Sequence, residues 1–433
     1  MRNEENCRRM KVLILGAGPA GLALAFELKQ RAVDSLLLES APTVAQSWAR
    51  MPTRTKLVSP WKANWLPGAD PHRFPPNCAL SAAEYGSWLQ QYARLRELPV
   101  VTNAEVLAVS RDGNAGFQVQ TSAGTFTAPL VVNATGYFAN PFVPEFTGAR
   151  ESAIPQIHFG AFRDAEQVRN LAGQRGGAVL IVGKRLSAGQ ALVELADAGF
   201  AVAISCRGPI QFGSGPLGWS VFFRIHPALE RLKLALHGNA ARGFEVRMQG
   251  GRAQRLIASG RVKVFPEIAR FEDRRVLFTD GQSLRPGAVL YATGFRPALA
   301  HLASLGIALD ERTGQPALRG FESTEAPGLF FLGLDGLRNF RSRFLRGIRE
   351  DAPLLAEALA GRACSRTGSS VNVVPSVKSQ SDVAATVRSR ADLNLPKPCH
   401  PTTQVKETIP SPASSRVAVN LKPHAPPALR HFL

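Results

Sequence analysis

Cysteine is scarce and scattered. Five occur in 433 residues, at Cys7, Cys78, Cys206, Cys364 and Cys399, and no two form CxxC. That spacing excludes a zinc knuckle and a local dithiol centre, offers no metal site, and fits a reduced, cytoplasmic setting. No apolar run reaches the roughly 18 residues of a membrane-spanning helix, so no span is expected. The start, MRNEENCRRMKVLILGAG, is charged and leads straight into a strand-like run, and Val12 to Leu15 is too short for the apolar helix of a signal peptide. No internal repeat of solenoid length occurs. Acids are also in deficit, 33 against 52 Lys and Arg, for a net charge of +19. Such an excess can attract nucleic acid or acidic lipid. No basic stripe interleaved with aromatics stands out, so it reads as an Arg-rich solvated surface, with no nucleic-acid partner.

What is present is a regular alternation. Apolar residues make up 45% of the chain, enough for two or three domains. KVLIL precedes a helical stretch from about Pro19 to Arg31, then SLLLE; later come LVVNATG, AVLIVG, FAVAIS, AVLYATG and LFFLG. Strands alternating with helices predict an α/β protein with parallel sheets. After about Arg362 the chain turns to Ser, Thr, Pro and Val without sustained period. Residues 362–433 hold ten Lys or Arg against three Asp or Glu, and 363–433 reads as a mostly disordered basic tail.

The strongest local signal is KVLILGAGPAGLALAFELKQRAVDSLLLES. Gly16, Gly18 and Gly21 form GxGxxG directly after an apolar strand, and Pro19 and Ala20 open the following helix. Gly16 permits the tight turn, Gly18 lets backbone approach a pyrophosphate, and Gly21 lets helix pack on strand. The helix N-terminus offers free N–H groups and a positive dipole to phosphates. Glu39 ends the second strand, 23 residues after Gly16, where a carboxylate can accept from both ribose hydroxyls.

A second loop, VLIVGKRLSAGQ, keeps Gly183, Ser187 and Ala188 but has Arg185 in place of the middle glycine. A side chain there hinders close approach of a pyrophosphate, yet Arg185 and Lys184 add charge that can hold one at longer range. No acid follows the next strand. Arg207 stands there, 24 residues after Gly183, and favours the 2′-phosphate of NADPH over NADH. The expectation is a working but altered NADPH site, with a degenerate domain as the alternative.

Ala-Thr-Gly ends two strands, at Thr135-Gly136 and Thr293-Gly294. This doubled motif, with GxGxxG at the start and a second nucleotide loop between, resembles the two-dinucleotide-binding-domain flavoproteins over roughly residues 10–360. The resemblance implies two Rossmann-like domains. An FAD domain is split between 8–155 and 289–362, an NAD(P) domain of 156–288 is inserted, and the ATG segments are the crossovers. It implies FAD at the first loop and NADPH at the second. Within that superfamily, QSWARMPTRTKLVSPWKANWLPG, with Trp48, Arg50 and Leu66-Pro67-Gly68, is similar to class B flavin monooxygenases and to bacterial cation-efflux-associated flavoprotein oxidoreductases. NATGYFANPFVPEF is similar as well, and His158 with Phe162 matches half of the monooxygenase fingerprint FxGxxxHxxx(F/Y/W). Two departures stand out: His158 lies ten residues after Gly148 instead of four, and Ser59 aligns where many members place an Asn over the flavin.

By the same resemblance, Gly333 and Asp335 hold the ribityl chain, and a helix opening at Arg346, Gly347 and Ile348 points at the flavin pyrimidine. Ser59 and His158 are the candidate catalytic residues, His158 through cofactor-linked domain motion or as a packed linker residue. The implied activity is oxygenation of a small organic substrate, with NADPH reducing FAD and reduced FAD activating O2. The alternatives are an NADPH-dependent reductase of the thioredoxin-reductase-like kind without CxxC, and a non-catalytic flavin-binding protein. The aromatic, amphipathic stretch 208–244 either lines a substrate pocket or covers a sheet. Substrate and oligomeric state are not legible.

Overall fold

Strands buried along their whole length build the parallel centres of two sheets. Val12–Leu15, Leu130–Asn133, Val179–Val182, Val202–Ser205 and Ala288–Tyr291 each bury all four residues. That burial follows from a helix packing one face of each sheet and a small antiparallel sheet packing the other, and it is why these strands read as continuous apolar runs. This computed structural model describes residues 11–113, 116–173, 176–213 and 247–365, with Leu232 and Leu236 between.

The first sheet has seven strands in the order Leu318–Arg319, Glu322–Ser323, Leu329–Phe331, Leu130–Asn133, Val12–Leu15, Ser35–Leu38, Val100–Val101. It therefore draws on both ends of the described chain. The second has five, in the order Val262–Phe265, Val202–Ser205, Val179–Val182, Ala288–Tyr291, Gln156–His158. One Rossmann-like unit is thus inserted into another. The second sheet takes in Ala288–Tyr291, so the return to the first falls after Tyr291 and not at 289. Ahead of each ATG strand lies a small antiparallel sheet, Val106–Ala128 in the first unit and Ile268–Leu284 in the second. Both units are therefore built to one plan.

Helix Pro19–Gln30 packs behind the first sheet, with Leu22, Leu24 and Leu28 fully buried. Helix Leu186–Asp197 does the same in the second unit through Ala188, Leu192 and Leu195. The last helix, Leu345–Ser365, runs slightly past the boundary expected at 363, and Lys11 Nζ donates to Ala363 O at 3.4 Å. The rest of the expected tail lies outside the described residues, as does most of 208–244. Among the described residues no helix is long and apolar enough to cross a membrane, and no cluster of three or more His, Cys, Asp or Glu could hold a metal. Cys206 is a free thiol.

Candidate functional site

In the first loop the three glycines meet three different demands. Gly16 has φ of +98°, and a Cβ there would sit 2.9 Å from Ala134 O; one at Gly21 would sit 2.0 Å from Gly16 O. Both are fixed by turn and packing. A Cβ on Gly18 would meet nothing within 4 Å. Its bareness is not needed by the protein's own packing, which is what a ligand-facing glycine requires. Gly18 is the N-cap of helix Pro19–Gln30, and no side chain caps that helix. By contrast Ser81 and Asp164 cap helices Ala82–Leu95 and Ala165–Ala172. The first-turn donors beside Gly18 are left for a ligand. Glu39 folds back on the loop: Ala17 N–H donates to Oε2 at 2.9 Å and Ala41 N–H to Oε1 at 3.0 Å.

The second loop repeats this geometry. Gly183 has φ of +141°, and a Cβ would lie 2.4 Å from Ala292 O. Arg185 is the uncapped N-cap of helix Leu186–Asp197, with φ −104° and ψ −162°, extended backbone that any residue adopts. Arginine therefore costs no strain there; only its bulk and charge differ from glycine. Ala188 is fully buried in the place of Gly21. Lys184 is not poised for phosphate: its Nζ donates to Arg207 O at 2.6 Å and Pro209 O at 3.4 Å. Arg207 has an acidic neighbour that the linear sequence hid, with its Nε 3.7 Å from Glu267 Oε1.

The two crossovers clasp one another. Thr135 Oγ1 donates to Ala298 O at 3.0 Å, beyond the second ATG, while Thr293 Oγ1 donates to Phe142 O, beyond the first. Phe142 N–H donates to Gly294 O at 3.0 Å, and Phe138 meets Phe295 edge to face at 5.1 Å. A histidine backs each crossover, His158 buried and His301 half-buried. His301 Nε2 lies 2.9 Å from Asn133 Oδ1, and burial pulls it down to about 4. His158 Nδ1 accepts from Gly160 N–H at 3.0 Å, its ring packs edge-on to Phe295 at 5.0 Å, and burial lowers it against a smaller pull from the Gly294 backbone.

A single cleft of about 1300 Å³ runs along these elements. It is lined by Gly18, Pro19 and Ala20 of the first loop, Gly183, Arg185 and Ser187 of the second, and Thr135, Gly136, Thr293 and Gly294 of the crossovers. Trp48, Ser59, Arg207, Gly333, Arg346 and Ile348 line it too. Gly16, Gly21, Ala188 and Gly347 sit behind the wall as packing; a Cβ on Gly347 would overlap Arg341 O. Four expected residues are placed otherwise. Glu39, bonded to the Ala17 and Ala41 amides, is not among the residues lining the cleft. Arg50 is exposed outside the cleft; its backbone N–H, bonded to Gln46 O at 3.0 Å, caps helix Gln46–Ala49. His158, a candidate for cofactor-linked domain motion or for a packed linker residue, is buried behind the second crossover and is not among the residues lining the cleft. Asp335 is exposed beside the cleft, paired with Arg343 at 2.8 Å, and its N–H donates to Tyr137 Oη at 2.8 Å.

Ser59 is held by a residue the sequence did not single out. Its Oγ donates to Asn64 Oδ1 at 2.6 Å, and Asn64 Nδ2 donates to Ser59 O at 2.7 Å. Asn64 is 1% exposed, and its carbonyl accepts from Tyr85 Oη at 2.9 Å. Five residues after Ser59 in WKAN, it could have been flagged as a polar residue in an aromatic stretch. Glu267 could have been found from strand order, because Val262–Phe265 lies beside Val202–Ser205 and their ends coincide.

Known proteins share this arrangement. Residues 13–333 match the pyridine nucleotide-disulphide oxidoreductase family. The chain is 28% identical over 355 residues to an uncharacterized CzcO-like oxidoreductase of Geobacillus kaustophilus, covering 79% of this chain and 96% of that one. It is 26% identical over 407 residues to the probable indole-3-pyruvate monooxygenase YUCCA7 of Arabidopsis thaliana, covering 84% and 90%. Among solved structures, the flavin-containing monooxygenase from Stenotrophomonas maltophilia superposes with a TM-score of 0.68 at 23% identity, covering 81% of this chain and 98% of that one. Bacillithiol disulfide reductase Bdr from Bacillus cereus superposes at 0.64 and 22%, covering 82% and 100%. With a match that spans most of the chain and two nucleotide loops facing one cleft, the chain belongs to the pyridine nucleotide-disulphide oxidoreductase family and is an FAD- and pyridine-nucleotide-dependent oxidoreductase.

Proposed function

We propose that this protein is an FAD-dependent monooxygenase that takes reducing equivalents from NADPH and uses O2 to oxygenate a small organic substrate. The observation that carries the reading is the shared cleft, lined at once by both loops and both crossovers. It is large enough for an extended cofactor with a second ligand beside it. The open face over Gly18 and the uncapped helix N-terminus beside it fit a dinucleotide pyrophosphate.

FAD, when bound, supplies hydride acceptance and oxygen chemistry. The chain's residues supply the surroundings. Glu39, already oriented by Ala17 N–H, receives ribose hydroxyls. The N-terminus of helix Leu345–Ser365, with Arg346 and Ile348 in the cleft wall, supports negative charge on a reduced pyrimidine. Arg185 contributes a charged contact to the second dinucleotide, and Arg207 contacts its 2′-phosphate. Trp48, Phe138 and Phe295 give the cleft an aromatic wall that limits water. Ser59 presents one hydroxyl oxygen whose rotation is fixed by Asn64, leaving its lone pairs for a donor in the cleft. His158 braces the second crossover and takes no part in proton transfer.

Purified protein should be yellow and release FAD on denaturation; a colourless folded protein that cannot be loaded with FAD would sink the reading. The second test is stoichiometry. With NADPH, O2 and a panel of thioethers, amines and ketones, at least one oxygenated product should track NADPH consumed. Hydrogen peroxide in full yield with every candidate would overturn the oxygenase assignment. Rapid NADPH-driven reduction of a quinone or disulfide without O2 would then favour a reductase.

A further inference from the structure

Arg207, expected to mark the 2′-phosphate of NADPH, does not stand alone. Strands Val202–Ser205 and Val262–Phe265 pair in register, Ser205 Oγ donates to Pro266 O at 2.7 Å, and Cys206 N–H donates to Phe265 O at 3.2 Å. These bonds bring the two strand ends side by side. Glu267 follows immediately and is anchored through its carbonyl, which accepts from Thr279 N–H at 3.0 Å. Its carboxylate lies 3.7 Å from Arg207 Nε, and both residues line the cleft. The side chains are 78% and 48% exposed, so the pair is solvent-screened and open to a ligand.

We propose that Glu267 is a coenzyme-selectivity residue: it partly neutralises Arg207 and offers a carboxylate to an unphosphorylated ribose, so that NADH as well as NADPH is accepted. This rests on the reading of the second loop as a pyridine-nucleotide site. The physical reason is competition. A 2′-phosphate approaching Arg207 must displace or sit beside a carboxylate of like charge, whereas a free 2′-hydroxyl can donate to that carboxylate. Arginine alone at the strand end rewards only the phosphate. Glutamate alone rewards only the hydroxyl. The two together flatten the preference. Lys184, bound to the Arg207 and Pro209 carbonyls, keeps the neighbourhood cationic, so NADPH is disfavoured only relative to an unopposed arginine.

The test is equilibrium binding of NADP+ and NAD+ to oxidised, FAD-loaded enzyme by calorimetry, which does not depend on turnover. Glu267→Gln should raise the ratio of NADP+ to NAD+ affinity by about fivefold, the upper range for an exposed charge pair, mainly by tightening NADP+. Glu145→Gln removes the same charge elsewhere in the cleft lining and should leave the ratio unchanged. A ratio that stays put in Glu267→Gln, or moves equally in both variants, overturns the proposal while leaving the nucleotide site standing. If neither coenzyme binds the wild type or either variant, the reading of the second loop fails and the proposal fails with it.

Discussion

The two nucleotide loops share one backbone frame and carry different residues on it. In the first, Gly16 N–H donates to Leu38 O at 2.8 Å and Ala134 N–H to Leu15 O at 2.9 Å. In the second, Gly183 N–H donates to Ser205 O at 3.0 Å and Ala292 N–H to Val182 O at 2.8 Å. Both turns end in an uncapped helix facing one cleft. The glycines that the backbone requires, Gly16 and Gly183, are kept in both. Where Gly21 lies against Gly16 O, the second loop has room for Ala188. The cleft-lining position is glycine in one and arginine in the other. The comparison separates the glycine that the turn itself requires, kept in both loops, from the positions that pack or line the cleft, where the residues differ.

The largest expected effect breaks the equivalence at the helix–strand contact. Gly21→Ala drives a methyl into Gly16 O and should cost about 3 kcal/mol, with loss of bound FAD. Ala188→Gly at the matching position should cost only about 1 kcal/mol, the helix propensity of glycine. Urea midpoints and FAD content of both variants check this; equal losses would mean that the helix–strand contact at Gly21 is no tighter than that at Ala188.

Acidification tests the histidines behind the crossovers. His301 is depressed to about 4 and His158 is lowered, both mainly by burial. The folded state therefore binds fewer protons than the unfolded one. Stability should be full above the ordinary imidazole range and fall as pH drops through it toward about 4. For His301 the loss between pH 7.5 and 5 should be about 2 kcal/mol. His301→Gln should flatten the profile, and an unchanged pH slope in that variant would remove His301 as its source.

Smaller effects address the altered position itself. Arg185→Ala should weaken NADP+ binding by about tenfold, the scale of a charge-assisted contact, without changing FAD content. Tighter binding on titration would mean that arginine obstructs and does not hold. Gly18→Ala should shift the stability of cofactor-free protein by less than about 0.5 kcal/mol, because its methyl meets nothing. It should still weaken FAD. A large loss of apoprotein stability would show that Gly18 is structural after all.

Buried parallel strands were legible because both faces are apolar, and the loop glycines because spacing reports turn geometry. The ordered sheet of the first unit, with its second half supplied by LFFLG, followed from the resemblance and not from periodicity. In the small antiparallel sheet of the second unit, Arg275–Phe278 and Ser283–Leu284 are too short to establish an alternation; the longer strands of the first, such as Val106–Asp112, were overlooked. Lys184 and Glu267 were misjudged or missed for one reason: what each touches lies across a strand pairing. Sequence places a charge at a strand end but not the neighbour that ends beside it. His158 matched a motif by type and offset, while only packing against Phe295 decides whether it reaches the cleft.

The split of the first sheet also sets an order of events during synthesis. Among the described residues, the strands from Gln156 to Tyr291 pair with one another apart from a bridge from Arg270 back to Thr147, which is already made by then, so that unit can close while the remainder is still being translated. The first unit cannot. Leu130–Asn133 must wait for Leu329–Phe331, and Tyr137 for the Asp335 amide 198 residues later. Helix Leu345–Ser365, which completes the cleft beside Ile348, comes later still. Distant pairings form slowly because loop closure precedes their reward. Cofactor loading is thus a late step on the ribosome or after release, and a chain cut before Phe331 leaves the first loop with its glycines in place but no finished wall to hold a flavin against.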